Sequence, residues 1–232
     1  MPPTAAALVL AGGTGSRLGA DRNKVLLPLA GRAVIARTVD VFVGVTGVDP
    51  VVLVVRRQDR DAATAALGDP ARSRVRFADG GASRQESELS GLRHLAPLII
   101  DGAVDVVLVH DGARPLVSAA LVRRVLGAAR EHGGAVPAVP AGELGELGPG
   151  GRRLRGPAPA GLVAVQTPQA FRAAPLLAAY ERAAAAGFTG TDTASCVERF
   201  TDLPVVGVPG EPTNIKITYR HDLALAERLL HR

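Results

Sequence analysis

The segment Leu10-Ala-Gly-Gly-Thr-Gly-Ser-Arg-Leu-Gly19, followed by Lys24, has the composition of a loop that meets a polyphosphate. Gly12, Gly13 and Gly15 let the backbone approach a ligand closely and turn its N–H groups toward phosphate oxygens. Arg17 can fork across β- and γ-phosphate oxygens, and Lys24 supplies a compact charge. Two familiar phosphate loops do not fit. The dinucleotide pattern G-x-G-x-x-G finds Leu18 in its last place, and the P-loop needs Gly-Lys-Ser/Thr where Lys24 lies between Asn23 and Val25. The plain alternative is a glycine-rich turn with incidental charges.

A second motif, His110-Asp-Gly-Ala-Arg-Pro115, follows an apolar run directly. A carboxylate there is placed to hold Mg²⁺ together with substrate phosphates, which makes Asp111 the candidate metal ligand. Arg114 can bind a second phosphate bidentately. An Asp-Gly turn beside a surface salt bridge would look the same. In Gly80-Gly-Ala-Ser-Arg-Gln-Glu-Ser87 the turn at Gly80 and Gly81 and the Ser87 hydroxyl can read a base edge, although Ser83 and Glu86 also form a capping box. Gln166-Thr-Pro-Gln169 is a fourth motif. In Thr191-Asp-Thr-Ala-Ser195, Thr191 can donate to a phosphate from a helix start, or the segment is only a cap.

Lys24 and Lys216 are the chain's two lysines among 27 basic residues. Where arginine is used so freely, they mark places that need an ammonium rather than a planar fork. Lys216 lies within the apolar stretch Asn214-Ile-Lys-Ile-Thr218, which reads as a strand, and strand interiors are poor places for idle charge. No Ser-His-Asp or Cys-His set stands out, so covalent catalysis is not indicated. Glycine N–H groups, cationic side chains and one carboxylate for a metal suit phosphoryl or nucleotidyl transfer.

The 232 residues read as one large domain or two small ones, with Ala, Val and Leu making the core because tryptophan is absent and aromatics are few. The net charge of +5 fits anionic phosphorylated substrates. The arginines are scattered and no aromatic-basic face is visible, so nucleic acid is not an expected partner. Cys196 is the only cysteine, and no leader or long apolar span is seen, which points to a cytoplasmic protein without membrane contact.

Elements that position these motifs follow from alternating apolar runs and amphipathic stretches. Strands are expected at 6–10, 51–55, 74–77, 106–110, 135–139, 162–166, 205–208 and 214–218. Helices are expected at 33–43, 59–67, 84–95, 119–131, 173–186, 193–200 and 222–230. This alternation predicts an α/β fold, a mostly parallel sheet with helices on both faces, and ligands beyond the carboxyl ends of the strands. The Pro- and Gly-rich stretch at about 140–161 breaks the rhythm, as a disordered loop or an arm leaving the core.

Taken in order, LAGGTGSRLG…K, GGASRQES, HDGARP, QTPQ, TDTAS and NIKIT…DLALAE resemble the 2-C-methyl-D-erythritol 4-phosphate cytidylyltransferase family nearly end to end. The resemblance implies a Rossmann-like nucleotidyltransferase fold with a protruding dimerisation arm, hence a homodimer. It implies a reaction of CTP with a polyol phosphate that gives a CDP-alcohol and pyrophosphate in non-mevalonate isoprenoid synthesis. It assigns transition-state stabilisation to Arg17 and Lys24, and acceptor phosphate to Lys216, with Asp111, Arg114 and Thr191 beside it. Ala11, Gly12, Gly13, Gly15, Gly80, Gly81 and Ser87 fall to the nucleotide.

The departures lie in the arm. Where the family carries Asp-Thr-hydrophobic-Lys, this chain has Glu143-Leu144-Gly145-Glu146, and the place of an acceptor-binding arginine is Pro159. Arg152, Arg153 or Arg155 can replace that arginine; another polyol phosphate or a phosphonate can be the acceptor; or the chain is a nucleotide-binding paralogue without turnover. Lys24→Arg and Lys216→Arg keep the charge, yet each is expected to lower turnover about 10²-fold in a pyrophosphate-release assay, the usual cost of losing a preorganised charge contact at a reacting phosphate. Wild-type rates in both would show that the lysines are incidental.

Overall fold

The computed structural model describes residues 3–13, 23–142, 145–147, 154–157 and 160–231. The strands are β1 (Thr4–Leu10), β2 (Pro28–Leu29), β3 (Arg32–Ala33), β4 (Val48–Val55), β5 (Val75–Asp79), β6 (Val104–Asp111), β7 (Gly134–Pro140), β8 (Gly145–Leu147), β9 (Leu154–Pro157), β10 (Val163–Val165), β11 (Gln169–Arg172) and β12 (Val205–Pro209). The helices are α1 (Val34–Gly44), α2 (Arg60–Ala66), α3 (Asp69–Arg72), α4 (Arg84–Ile100), α5 (Ala119–His132), α6 (Ala173–Ala185), α7 (Thr193–Phe200) and α8 (Arg220–Leu230).

An eight-stranded sheet runs β10-β7-β11-β6-β1-β4-β5, with β12 also paired to β7. Strands β6, β1, β4 and β5 are mutually parallel, while β11 and β10 join antiparallel. Strict alternation divides the core between the two faces. Ala5, Ala7, Val9, Leu53 and Leu108 pack toward α1 and α5, and Ala6, Leu8, Val52, Val54, Val107 and Val109 toward α4, α6 and α7. Burial on both faces is why these strands read as unbroken apolar runs. The α/β expectation therefore holds, with a parallel half and a mixed half.

The chain lays β4 and β5 on one side of β1 and then crosses to place β6 on the other, opposing Leu10 to Asp111 at the strand ends. That reversal opens a crevice beyond the carboxyl ends of β1 and β6. Gly112 closes the crevice floor. Its N–H donates to the Leu10 carbonyl at 2.9 Å, and a Cβ there would meet that same oxygen at 2.8 Å and Ile35 Cδ1 at 2.7 Å, so only glycine fits.

Two expectations are corrected. Residues 214–218 form no strand; they run as an irregular segment whose Ile217 N–H donates to the Ala113 carbonyl at 2.8 Å. Ile217 is fully buried, so the apolar alternation was real but served packing against a loop rather than a ladder. Strand β11 was not anticipated: Gln-Ala-Phe-Arg after Pro168 carries no apolar run, yet it fits between β6 and β7. The arm stretch contains an antiparallel pair, β8 with β9, separate from the main sheet. It is thus an excursion with its own ladder. Glu143, Leu144, Arg152, Arg153 and Pro159 lie outside the described residues. Among the described residues no helix is long and apolar enough to cross a membrane.

Candidate active site

A cavity of about 390 Å³ occupies the crevice, lined by the ends of β1 and β6, the turn after β5, and Lys24 and Lys216. Its first wall is Ala11, Gly12 and Gly13. The Ala11 N–H still donates to the Val54 carbonyl at 2.8 Å, which carries strand geometry to the brink of the loop. Gly15 and Arg17 lie outside the described residues. Where the chain returns, Asn23 is 2 % exposed and donates from Nδ2 to the Ala11 carbonyl at 2.7 Å and to Asp59 at 2.9 Å, while its Oδ1 accepts from the Val25 N–H. Asn23 thereby pins the far end of the glycine loop to its start, and Lys24 opens a short 3₁₀ turn on the cavity wall.

The second wall is the turn between β5 and α4. Ser83 caps α4, accepting from the Glu86 N–H at 3.1 Å, as the sequence predicts. Ser87 is buried: its Oγ donates to the Ser83 carbonyl at 2.8 Å and accepts from the Gly81 N–H at 3.1 Å. The Gly80 N–H donates to Val55 O and the Ala82 N–H to Glu86 Oε2. A Cβ on Gly81 would lie 2.3 Å from that of Glu86. Ser87 thus shapes the turn rather than offering a spare hydroxyl proton, and the turn's N–H groups are occupied from within.

Asp111 is the hub. Its carboxylate is 8 % exposed, and it receives Arg84 Nη1 on Oδ1 and Lys216 Nζ at 2.8 Å on Oδ2, with Arg114 Nε 3.6 Å away. Burial alone would raise its pKa; the charges of Arg84 and then Lys216 outweigh it and hold the carboxyl well below the usual carboxylate range. Thr167, ahead of strand β11, accepts from the Asp111 N–H at 3.1 Å and contacts His110 Nδ1 at 3.0 Å. His110 is fully buried, and burial pushes its pKa down to about 3, so the ring is a neutral part of the core.

Lys216 reaches the hub because its segment is strapped to the loop after β6. Arg114 Nη1 donates to the Asn214 carbonyl at 2.7 Å, and Asn214 Nδ2 donates to the Thr167 carbonyl at 2.8 Å. The structure therefore gathers Ala11, Gly12, Gly13, Lys24, Gly81, Ser87, Asp111 and Lys216 around one cavity. Arg114 is not on its wall; it lies part-buried beside Asp111 and braces the 214–217 segment. Thr191 is exposed and also stands outside the cavity, its N–H donating to Ser195 Oγ at 3.1 Å. Asp192 caps α7, its Oδ1 accepting from the Ser195 N–H.

Arg84 was missed as a site residue. It lines the cavity between Asp111 and Glu88, and the only sequence signal was its place inside GGASRQES with a glutamate four residues on. Its decisive partner is 27 residues away on β6.

Comparison with known proteins settles the family. The model for IspD, 2-C-methyl-D-erythritol 4-phosphate cytidylyltransferase, matches residues 5–232. The chain belongs to this family. A 2-C-methyl-D-erythritol 4-phosphate cytidylyltransferase of Cereibacter sphaeroides (strain KD131 / KCTC 12085) is 42% identical over 227 residues, covering 98% of this chain and 97% of the relative. One from Geobacillus kaustophilus is 39% identical over 228 residues, covering 97% and 96%. Among solved structures, the 4-diphosphocytidyl-2C-methyl-D-erythritol synthase of Anaerococcus prevotii superposes with a TM-score of 0.84 at 27% identity, covering 99% of this chain and 97% of that one. The Thermus thermophilus cytidylyltransferase gives 0.74 at 32% identity with full coverage of both.

Asp111→Asn would leave Arg84, Arg114 and Lys216 facing one another without their shared anion. It is expected to lower unfolding free energy by about 3 kcal/mol, the scale for breaking a buried ion pair. Urea denaturation reads this, and a midpoint equal to wild type would show that the cations do not depend on Asp111.

Proposed function

We propose that this chain transfers CMP from CTP to 2-C-methyl-D-erythritol 4-phosphate, forming 4-diphosphocytidyl-2-C-methyl-D-erythritol and pyrophosphate. A phosphate oxygen of the acceptor attacks the α-phosphorus of CTP in line; the new P–O bond forms as the α–β bond breaks, and pyrophosphate leaves. The observation that carries this reading is the convergence of Ala11–Gly13, the Gly81–Ser83 turn and the Asp111–Lys216 pair on one cavity.

Each wall has a part. The loop at Ala11–Gly13 and Lys24 takes the triphosphate, with Arg17 joining them. Because the N–H groups of Gly80, Gly81 and Ala82 are occupied, what that turn has left for a base is carbonyl oxygen. That suits the exocyclic amino group of cytosine and opposes the O4 of uracil. Lys216, held at the cavity floor by Asp111, draws the acceptor phosphate toward the α-phosphorus and offsets repulsion between two polyanions. Arg114 supports that arrangement from behind, and Thr191 meets the acceptor from the α7 side.

Magnesium fits this chemistry through one protein ligand. Asp111 is ionised, stands on the cavity wall, and retains lone-pair positions beside those used by Arg84 and Lys216. No cluster of three or more His, Cys, Asp or Glu suited to a metal exists among the described residues. A cation that takes its other ligands from phosphates and water suits such a site. When bound, the ion would neutralise charge on the phosphates.

Pyrophosphate release with Mg²⁺, the acceptor and each of CTP, UTP, ATP and GTP tests the reaction. CTP is expected to be preferred about tenfold or more, the discrimination of a good base-edge contact. Equal release from all four, or none from CTP, would sink the reading.

The protein is further proposed to act as a cytoplasmic homodimer. Leu162, Val163 and Val165, at the foot of the arm, expose about half of their surface on an edge strand, and such strands are usually covered. Sizing with light scattering is expected to give twice the chain mass; a monomer at micromolar concentration would overturn this.

A further inference from the structure

Glu88 lies one turn into α4, is 1 % exposed, and is not on the cavity wall. A carboxylate on the same helix that buries Leu92 and Leu95 is costly to desolvate and is tolerated only with partners. Its contacts are specific. Oε1 accepts from the Thr193 hydroxyl at 2.9 Å and faces Arg84 Nε at 3.0 Å, and Oε2 accepts from the Tyr180 hydroxyl at 2.6 Å.

These contacts have two consequences. The Arg84 guanidinium stands between two carboxylates where it borders the cavity: Nη1 donates to Asp111, and Nε lies 3.0 Å from Glu88 Oε1 as an ion pair without hydrogen-bond alignment. Thr193 opens α7 two residues after Thr191, so the same carboxylate fixes the α7 start. The neighbouring Gln85 reinforces the link, donating to the Phe188 carbonyl at 2.7 Å and accepting from the Gly190 N–H at 2.8 Å. The first turns of α4 thus carry the nucleotide turn on one side and hold the 188–193 segment on the other.

We propose that Glu88 is a positioning residue for nucleotidyl transfer: it fixes the Arg84 guanidinium against Asp111 and joins it rigidly to the start of α7, so that the nucleotide and acceptor sides hold one geometry. The inference rests on reading the cavity as the CTP site. Glu88 touches no substrate itself. It acts through Arg84 on the nucleotide side and through Thr193 on the acceptor side.

A double-mutant cycle on the full chain tests this, with Glu88→Gln, Arg84→Lys and their combination. Glutamine keeps the shape and can bond to Tyr180 and Thr193, but it loses the charge that orients Arg84. Lysine still reaches Asp111, yet cannot bridge to Glu88. Glu88→Gln alone is expected to lower kcat/KM for CTP about tenfold and to raise the acceptor KM. In the Arg84→Lys background its effect on CTP should vanish, because the residue it acts through is gone. Equal losses in both backgrounds, or unchanged constants in Glu88→Gln, would overturn the proposal; a purely structural role would lower thermal stability without this coupling. Should Glu88→Gln fail to fold by circular dichroism, Tyr180→Phe and Thr193→Val each remove one donor, and unchanged kcat/KM in both overturns the proposal. Wild-type turnover is read first. A wild type that binds CTP in calorimetry without releasing pyrophosphate overturns the reaction, and the cycle is then read in CTP dissociation constants with the same two outcomes.

Discussion

One buried carboxylate organises this molecule's chemistry. Asp111 ends the central strand β6 and faces Arg84, Arg114 and Lys216, which come from α4, from its own loop and from the irregular 214–217 segment. Without an anion at that point, three cations from three parts of the chain would have no reason to converge. Continuum reasoning makes such a buried cluster a poor source of net stability, because each ion loses its hydration. Its value is geometric. It sets cationic groups on the wall of the crevice proposed to take phosphates, and the low-dielectric protein behind them strengthens their field.

The backbone around the hub obeys the same economy. A polar group in this crevice either completes the protein or faces the ligand. The N–H groups of Gly80, Gly81 and Ala82 and the Ser87 hydroxyl all belong to the first kind. Gly81 is glycine because the chain must pass against the Cβ of Glu86 to close this turn, not because its N–H must reach a phosphate. On the proposed reading, carbonyl oxygens of this turn meet the base; they cannot rotate and therefore reject a mismatched acceptor edge at the cost of an unpaired group. Arg114 shows the same division: an arginine that sequence pattern assigns to a phosphate is turned inward, and holds the strap that presents Lys216.

Much of this was legible in the sequence. Burial on both faces makes β1, β4 and β6 unbroken apolar runs, and helix periods and the Ser83 cap follow from local rules. Ala11, Gly12, Gly13, Gly81 and Asp111 were legible because they lie at or just past strand ends. Pairings between distant segments were not. Arg84 was not singled out because nothing near it names Asp111 as its partner, and no local signal marks Glu88, four residues on, as almost wholly buried. The 214–218 segment misled because alternation records which side chains are buried and not what the backbone pairs with. Its carbonyls and N–H groups meet a loop, at Ala113 and Arg114, rather than a strand.

The scarcity of lysine finds a physical reason at the hub. Asp111 already takes one guanidinium on Oδ1 and has a second 3.6 Å from Oδ2. Each planar fork fills a wide sector around the carboxylate, and a third one would have to overlap the others while leaving its outer face for a substrate. An ammonium needs only one point of contact, which Lys216 makes at 2.8 Å while its side chain stays 39 % exposed toward the crevice. Its remaining donors can then turn to a phosphate without breaking the anchor. Lys24 is set by a comparable demand, since it leaves a tight 3₁₀ turn whose entry is pinned by Asn23. In a chain that otherwise writes positive charge as arginine, Lys216 survives where two guanidinium planes already flank the carboxylate.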